Sequence, residues 1–282
     1  MAAAQFCVGI VLFRTGEDEL HQLLQSVSRQ AQDVVDVLLI DNSHGMDGQL
    51  EADGEALAMD GLRIRILPSQ GNVGFGAAHN MLMAAGFENE ANTHYVAANP
   101  DGFFFPDSFA KAQRWVQADG LRLLEFRQFP LEHPKTYDAR TGRTAWCSGA
   151  ALVMPRTTFE TIGGFDDNIF MYLEDVDLSW RVRMAGGLCV TMHDARYYHD
   201  VSDARDSEAV RLEMFRAGRY IAQKWKNPSF RSIMERGLVG EGYADSVQLL
   251  PALEVEQMPQ EEDDINRIVE FRRLFNFSSS RW

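Results

Sequence analysis

The feature that most narrows the fold is a series of short, nearly unbroken apolar runs separated by helical patterns. FCVGIVLF (residues 6–13), VVDVLLI (34–40) and HYVAA (94–98) are too short for buried helices and rich in branched residues, while LRIRIL (62–67) alternates. Runs of this kind read as strands covered on both faces. Between them, Leu20, Leu23, Leu24 and Val27 keep helical spacing, with Thr15 as the expected cap. AAHNMLMAAGF and residues 107 to about 118 read as two further helices. Strand–helix–strand alternation predicts an α/β fold, a Rossmann-like, mostly parallel sheet with helices on both faces. Ligands of such sheets bind at the carboxyl ends of the strands. Asp41 closes the second run and Asp101 follows the fourth, so two acids aim at one crevice.

The rest of the chain is less regular. Residues 121–146 hold Pro130, Pro134 and the turn-like DARTG, and read as a long excursion. CSGAALVM and LCVTM then read as strands. PRTTFETI reads as a short helix stopped by Gly163 and Gly164, and residues 206–226 as a long one ending at Asn227-Pro228. The expected division is a catalytic domain over 1–204 and a C-terminal helical extension over 205–282. The last part follows an acidic, linker-like stretch and mixes arginines with Ile265, Ile268, Val269, Phe271 and Phe275. That pattern suits a membrane surface or packing against protein. The neighbouring acids would repel anionic lipid, which favours packing.

The richest chemistry lies in FMYLEDVDLSWR, residues 170–181. Glu174, Asp175 and Asp177 open an expected helix, where the dipole and free N–H groups favour negative charge. Asp177 and Arg181 are spaced i,i+4 and can pair on the helix surface. Glu174 and Asp175 have no local cation and are the better candidates for working groups. A formal net charge of −14 argues against nucleic acid as a partner. It leaves room for a phosphate-bearing small ligand, because a metal or local cation reverses the local field. Gly74-Phe75-Gly76 approaches a dinucleotide fingerprint, but His79 stands where the third glycine belongs and no acid follows at the right distance. The two glycines better suit a tight turn and close approach of backbone to a ligand. Cys7, Cys147 and Cys189 have no metal spacing and read as reduced, buried thiols of a cytoplasmic protein. No stretch is long and apolar enough to span a bilayer. Peripheral contact at the inner face of the cell membrane and a homodimer both remain compatible with the composition. Trp146 suits either a core or an exposed acceptor platform beside Ser148 and Gly149, and the residues leave both open.

IVLF, IDNS, GNVGFGAAHN, ANPDG, WCSGAALVMPR, GGFDDNIFMYLEDVDLSWR and His199, in that order, resemble glycosyltransferase family 2, and most of all its rhamnosyltransferase-type bacterial members. The resemblance covers about residues 5 to 225. It implies a GT-A fold, a dTDP- or UDP-sugar donor, a divalent metal (Mg2+ or Mn2+) and inversion at the anomeric carbon. It places Arg14, Asp41, Asn72, Gly74, Asn99 and Asp101 around the donor, with Asp41 on the base of the nucleotide. Asp101 and His199 would hold the metal, Asp175 would be the general base and Glu174 would orient substrate. Trp146 and Ser148 would lie on the acceptor side, toward a glycan or lipid-linked glycan. Asn99 replaces the first acid of the family's Asp-x-Asp, which leaves a non-catalytic nucleotide-sugar-binding subunit as the alternative.

Overall fold

The computed structural model describes residues 3–269 apart from 31, 44, 47–56, 134 and 201–207. The first half alternates as the apolar runs require: β1 (Phe6–Leu12), α1 (Glu17–Ser28), β2 (Val34–Asp41), β3 (Arg63–Leu67), α2 (Phe75–Phe87) and β4 (His94–Ala98). Next come β5 (Gly102–Phe104), α3 (Ser108–Val116), β6 (Arg122–Phe129), β7 (Arg143–Thr144), β8 (Ala151–Pro155) and α4 (Arg156–Ile162). The chain continues through α5 (Glu174–Met184), β9 (Leu188–His199), α6 (Glu208–Lys224), α7 (Pro228–Gly240) and α8 (Glu262–Ile268).

The sheet runs β3-β2-β1-β4-β8-β6-β9-β5, with β7 paired to β9. β3, β2, β1 and β4 are mutually parallel. β8 runs against both β4 and β6, and β6 is again parallel to β9. The inserted antiparallel β8 therefore brings its amino end to the edge where β1, β2, β4 and β9 finish. Residues from both halves of the sheet meet there.

Two apolar layers sandwich the sheet. On one face Leu20, Leu23, Leu24 and Val27 of α1 and Phe109 and Ala112 of α3 pack on Phe6, Val8, Ile10, Val37 and Val96. On the other, Ala78, Leu82 and Met83 of α2 and Leu178 and Val182 of α5 cover Cys7, Leu38, Tyr95, Leu123 and Leu152. A third cluster joins the remaining side of α5, Val176 and Trp180, to Ile221 and Trp225 of α6, Phe230 and Met234 of α7 and Ile265 of α8. Buried on two sides, α5 has no wet stripe of the kind a surface helix carries.

The structure departs from the sequence reading in four places. The expected excursion over 121–146 contains β6, an interior strand of the sheet. Gly16, not Thr15, precedes the first turn of α1, and its N–H is taken by Glu19 at 3.1 Å. β9 extends past LCVTM to His199. Asp177 is fully buried, so its pair with Arg181 is not a surface pair. Ile265 of the C-terminal stretch packs on α5's cluster, whereas Phe271 and Phe275 lie outside the described residues. All three cysteines are free and buried. No described helix is long and apolar enough to cross a membrane.

Candidate active site

Asp41 is the last residue of β2 and is buried. Its Oδ1 accepts from the N–H of Ser43 at 2.8 Å and from the Ser43 hydroxyl, an Asx-type turn that fixes the carboxylate at the sheet edge. Arg14, exposed and at φ 52°, donates its backbone N–H to Ser43 Oγ at 3.3 Å. Asn42 Nδ2 reaches across to the carbonyl of Gly74 at 3.0 Å. Asn72 Oδ1 accepts from the Gly74 N–H, also at 3.0 Å. The side chains of Asn42 and Asn72 thus build the turn that begins α2. Gly74 is required there: its φ is 89°, and a Cβ would sit 2.2 Å from the carbonyl oxygen of Phe170.

That contact carries the argument from α2 to α5. Phe170 O also accepts from Phe75 N–H at 3.0 Å, so the loop before α5 is clamped to the glycine turn. Tyr172 and Leu173 follow at φ 69° and 66°, two bulky residues in the left-handed region. Such conformations cost about 1–3 kcal/mol each and persist only where the surroundings impose them. They set the angle at which Glu174 and Asp175 enter the helix.

Asp175 is half-buried. Its Oδ2 accepts from the N–H of Gly149 at 2.8 Å and its Oδ1 from the N–H of Val176 at 2.7 Å. Gly149 lies just before β8, and the next residue, Ala150, gives its carbonyl to Asn99 N–H at 2.9 Å. Two backbone steps therefore separate the Asp175 carboxylate from the end of β4. Glu174 is buried against Gly76 and its Oε2 has no hydrogen-bond partner. Burial, and then the neighbouring charge of Asp175, push its carboxyl up to about 8. Burial thus favours the neutral form of Glu174, while Asp175 has two N–H donors to stabilise its anion.

Asn99, Asp101 and His199 meet at the end of β4 and β9. His199 Nδ1 faces Gln128 Oε1 at 3.0 Å, and its Nε2 lies 3.3 Å from Asn99 Nδ2. The amide oxygen of Gln128 fixes the orientation of the ring. Asp101 Oδ1 stands 3.3 Å from His199 Nε2, shut from solvent and without a hydrogen bond. A carboxylate oxygen and an imidazole nitrogen 3.3 Å apart are ligand types that fit a divalent cation. Such an ion, bridging to diphosphate, takes only one or two ligands from protein. Among the described residues no group of three His, Cys, Asp or Glu side chains forms a fuller cage.

The acceptor-side expectations fare differently. Ser148 is buried, with its hydroxyl 2.9 Å from His133 Nε2 and its N–H donated to Glu125. Trp146 is buried too, covered by Lys135 Nζ at 4.1 Å from the ring centroid, so it offers no open platform. Sequence reasoning missed Glu125, Gln128, His133 and Lys135, all inside the supposed excursion. The only hint was an acid in the middle of an otherwise apolar LLEF. It also missed the role of Gly149, for which a glycine directly before a buried strand was the available signal.

A mostly parallel sheet with β5, β7 and β8 antiparallel to their neighbours, covered by helices on both faces, is the architecture of a GT-A glycosyltransferase. No protein-family model matches the chain. It is 30% identical over 223 residues to N-acetylglucosaminyl-diphospho-decaprenol L-rhamnosyltransferase of Mycobacterium tuberculosis, covering 64% of this chain and 71% of that one. It is 33% identical over 82 residues to rhamnosyltransferase WbbL of Escherichia coli, 28% of this chain and 31% of the other. A mannosyltransferase of Pyrobaculum calidifontis, solved with GDP-mannose and Mn2+, superposes over 86% of this chain and 78% of its own, at 14% identity and a TM-score of 0.56. The chain belongs to glycosyltransferase family 2, among its rhamnosyltransferase-type bacterial members.

Proposed function

We propose that the protein transfers a deoxyhexose, rhamnose from its dTDP-activated form, to a hydroxyl of a lipid-linked bacterial surface glycan, with inversion. The observation that carries this reading is the placement of Asp175. Its carboxylate is bonded to Gly149, which lies one residue from the backbone partner of Asn99, so base and diphosphate site flank one edge without touching. In-line displacement needs that separation: the proton acceptor on one face of the sugar, the leaving group on the other.

Asp175 takes the proton of the attacking hydroxyl as the new bond forms. The two N–H bonds keep its anion aimed outward. Burial holds Glu174 toward its neutral form, which limits the build-up of a second charge beside Asp175. Asp41, Asn72 and Gly74 line the nucleotide end of the edge, with the Asx turn presenting Asp41 to the base. Asp101 and His199 would hold Mg2+ or Mn2+, which would supply positive charge to the departing diphosphate. Gln128 keeps the His199 ring oriented for that task. The rhamnosyl donor and lipid-linked acceptor rest on the name of the mycobacterial relative.

The test is a panel of dTDP-, UDP- and GDP-sugars scored by thermal stabilisation, with and without Mg2+ or Mn2+. The expected result is a shift with dTDP-rhamnose that grows with the metal. A shift with no nucleotide sugar contradicts the donor site, and one confined to UDP- or GDP-sugars replaces the rhamnosyl assignment.

A further inference from the structure

The strands β6, β9 and β5 divide their side chains between two faces, as pleating requires. One face belongs to the site: His199 meets Gln128, and the Tyr197 hydroxyl donates to the carbonyl of Asn99. The other is aromatic. Phe129 of β6 pairs with Tyr198 of β9, which pairs in turn with Phe103 of the edge strand β5. The Phe103 and Tyr198 rings stack at 4.6 Å and 11°. Phe105, just past β5, meets the Phe103 ring at 6.0 Å and that of Phe129 at 5.7 Å. Two residues back along β6 and β9, Arg127 pairs with Arg196, whose guanidinium lies 4.4 Å over the Phe105 ring. None of these six residues is buried, whereas Phe104, Gln128, Tyr197 and His199, which alternate with them, are. Phe129 is 44% exposed, and Leu131 just beyond it 41%. A sheet face turned to water ordinarily carries polar side chains. Here it carries four aromatic rings.

We propose that this face docks on a phospholipid bilayer, with Phe103, Phe129, Leu131 and Tyr198 at the headgroup–acyl boundary and Arg196 at the level of the lipid phosphates. The choice of a bilayer as occupant rests on the lipid-linked acceptor of the transferase reading above. The aromatic row is continuous with the active edge: Phe129 follows Gln128, Tyr198 precedes His199, and Phe103 lies two residues after Asp101. A bilayer against this face therefore holds a lipid-borne hydroxyl beside the edge where transfer takes place. The order of the side chains follows the depth profile of a bilayer. β6 and β9 are parallel, so the arginines form one row and the aromatics the next, about 7 Å nearer the strand ends. Interfacial segments bury their apolar side about 5–10 Å deep, and aromatic rings collect at the headgroup level. A guanidinium one row behind them meets phosphate oxygens with the fork geometry that suits both. Arg127 Nε is already taken by Glu132 at 2.8 Å, so the phosphate contact is assigned to Arg196. The net charge of −14 opposes attraction to anionic lipid, so the aromatic row supplies most of the binding.

The test is co-sedimentation of the full chain with vesicles of phosphatidylethanolamine and phosphatidylglycerol. The unsubstituted protein is compared with a Phe129→Ser, Leu131→Ser double variant, whose fold is checked by its melting temperature. The expected result is that the unsubstituted protein pellets with the vesicles and that the double variant partitions about tenfold more weakly. Leu131→Ser alone lies outside any strand and should show a smaller loss of the same sign, which serves if the double variant melts early. Ile233→Ser with Leu249→Ser, 49% and 66% exposed in the C-terminal helical region, is the control and should pellet as the unsubstituted protein does. The assignment is overturned if the unsubstituted protein stays in solution, if the Phe129 and Leu131 variants pellet undiminished, or if the control loses as much. Self-association without vesicles, abolished by the same double exchange, also overturns it and makes the face a contact between copies of the chain. Donor stabilisation and transfer to a water-soluble acceptor are followed alongside. If both persist while vesicles are ignored, only the bilayer assignment is wrong. If no nucleotide sugar binds or is turned over, the transferase reading fails, and the pelleting result still decides the role of the face.

Discussion

Two groups of acids sit within one turn of α5 and are treated in opposite ways. Asp177 is fully buried and saturated: Arg181 Nε lies at 2.8 Å, Lys224 Nζ at 2.8 Å and Trp225 Nε1 at 2.9 Å. Lys224 also reaches Asp166 at 2.7 Å; burial works to raise the Asp166 carboxyl, and the bond and charge of Lys224 together with hydrogen bonds from Asn168 bring it down to about 2. Glu174 and Asp175, a few residues earlier, are held otherwise: Asp175 accepts from the backbone N–H groups of Gly149 and Val176, and Glu174 Oε2 has no hydrogen-bond partner. The first group fastens the C-terminal helices to the sheet domain. The second is kept available for chemistry. The contrast teaches that stability and function are divided along one helix, with residue i+2 doing what i cannot.

That division can be broken from the stability side, starting with the largest effect. Asp177→Ala leaves Lys224 and Arg181 without their shared carboxylate, and removing one partner of a buried pair costs about 3–5 kcal/mol. The melting temperature should fall by roughly 10 °C, with α6 and α7 losing hydrogen-exchange protection first. An unchanged melting point would mean that the pair fastens nothing.

Gly74→Ala comes next. The new Cβ meets the Phe170 carbonyl and the backbone is left at a positive φ, which together cost about 1–3 kcal/mol. Because Phe170 leads into the acidic turn, transfer should fall as well as urea midpoint. Full activity in this variant would uncouple the glycine turn from the acids.

Glu174→Gln should have a smaller and pH-dependent effect. The folded carboxyl titrates near 8 and the unfolded one near its ordinary value of 4.5. The folded state therefore holds a proton that the unfolded state has released. Stability is greatest below the unfolded value, declines as pH rises from about 4.5, and levels off above about 8. Glutamine removes that decline, so melting temperatures measured between pH 5 and 8 should vary less with pH for the variant. Parallel curves would place the proton elsewhere.

Much of this architecture was written in the apolar runs. β1, β2 and β4 are nearly unbroken hydrophobic segments because both of their faces are covered, and the acids that follow them mark the edge where the site forms. β6 was hidden for a physical reason. Arg122, Glu125, Arg127 and Gln128 give it the polarity of a loop, and what makes Glu125 tolerable inside the sheet is Lys135, Ser148 and Thr191, whose approach depends on the finished fold. Asp177 was misread as a surface acid for the same reason, since Lys224 and Trp225 lie more than forty residues downstream. The left-handed pair Tyr172 and Leu173 leaves no mark in the sequence, because neither is the glycine that such angles ordinarily attract. The acidic pair itself stood out because no compensating charge lies near it in the chain.

The most direct measurement is made on Asp175→Asn. Asparagine keeps the shape and one acceptor oxygen for the Gly149 N–H but cannot take a proton. The account predicts a melting point within about 1 °C of the unsubstituted protein, unchanged stabilisation by the nucleotide-sugar donor, and a transfer rate lower by about 10²–10⁴-fold. Transfer at an undiminished rate, with fold and donor binding intact, would remove Asp175 as the base and with it the division of labour along α5.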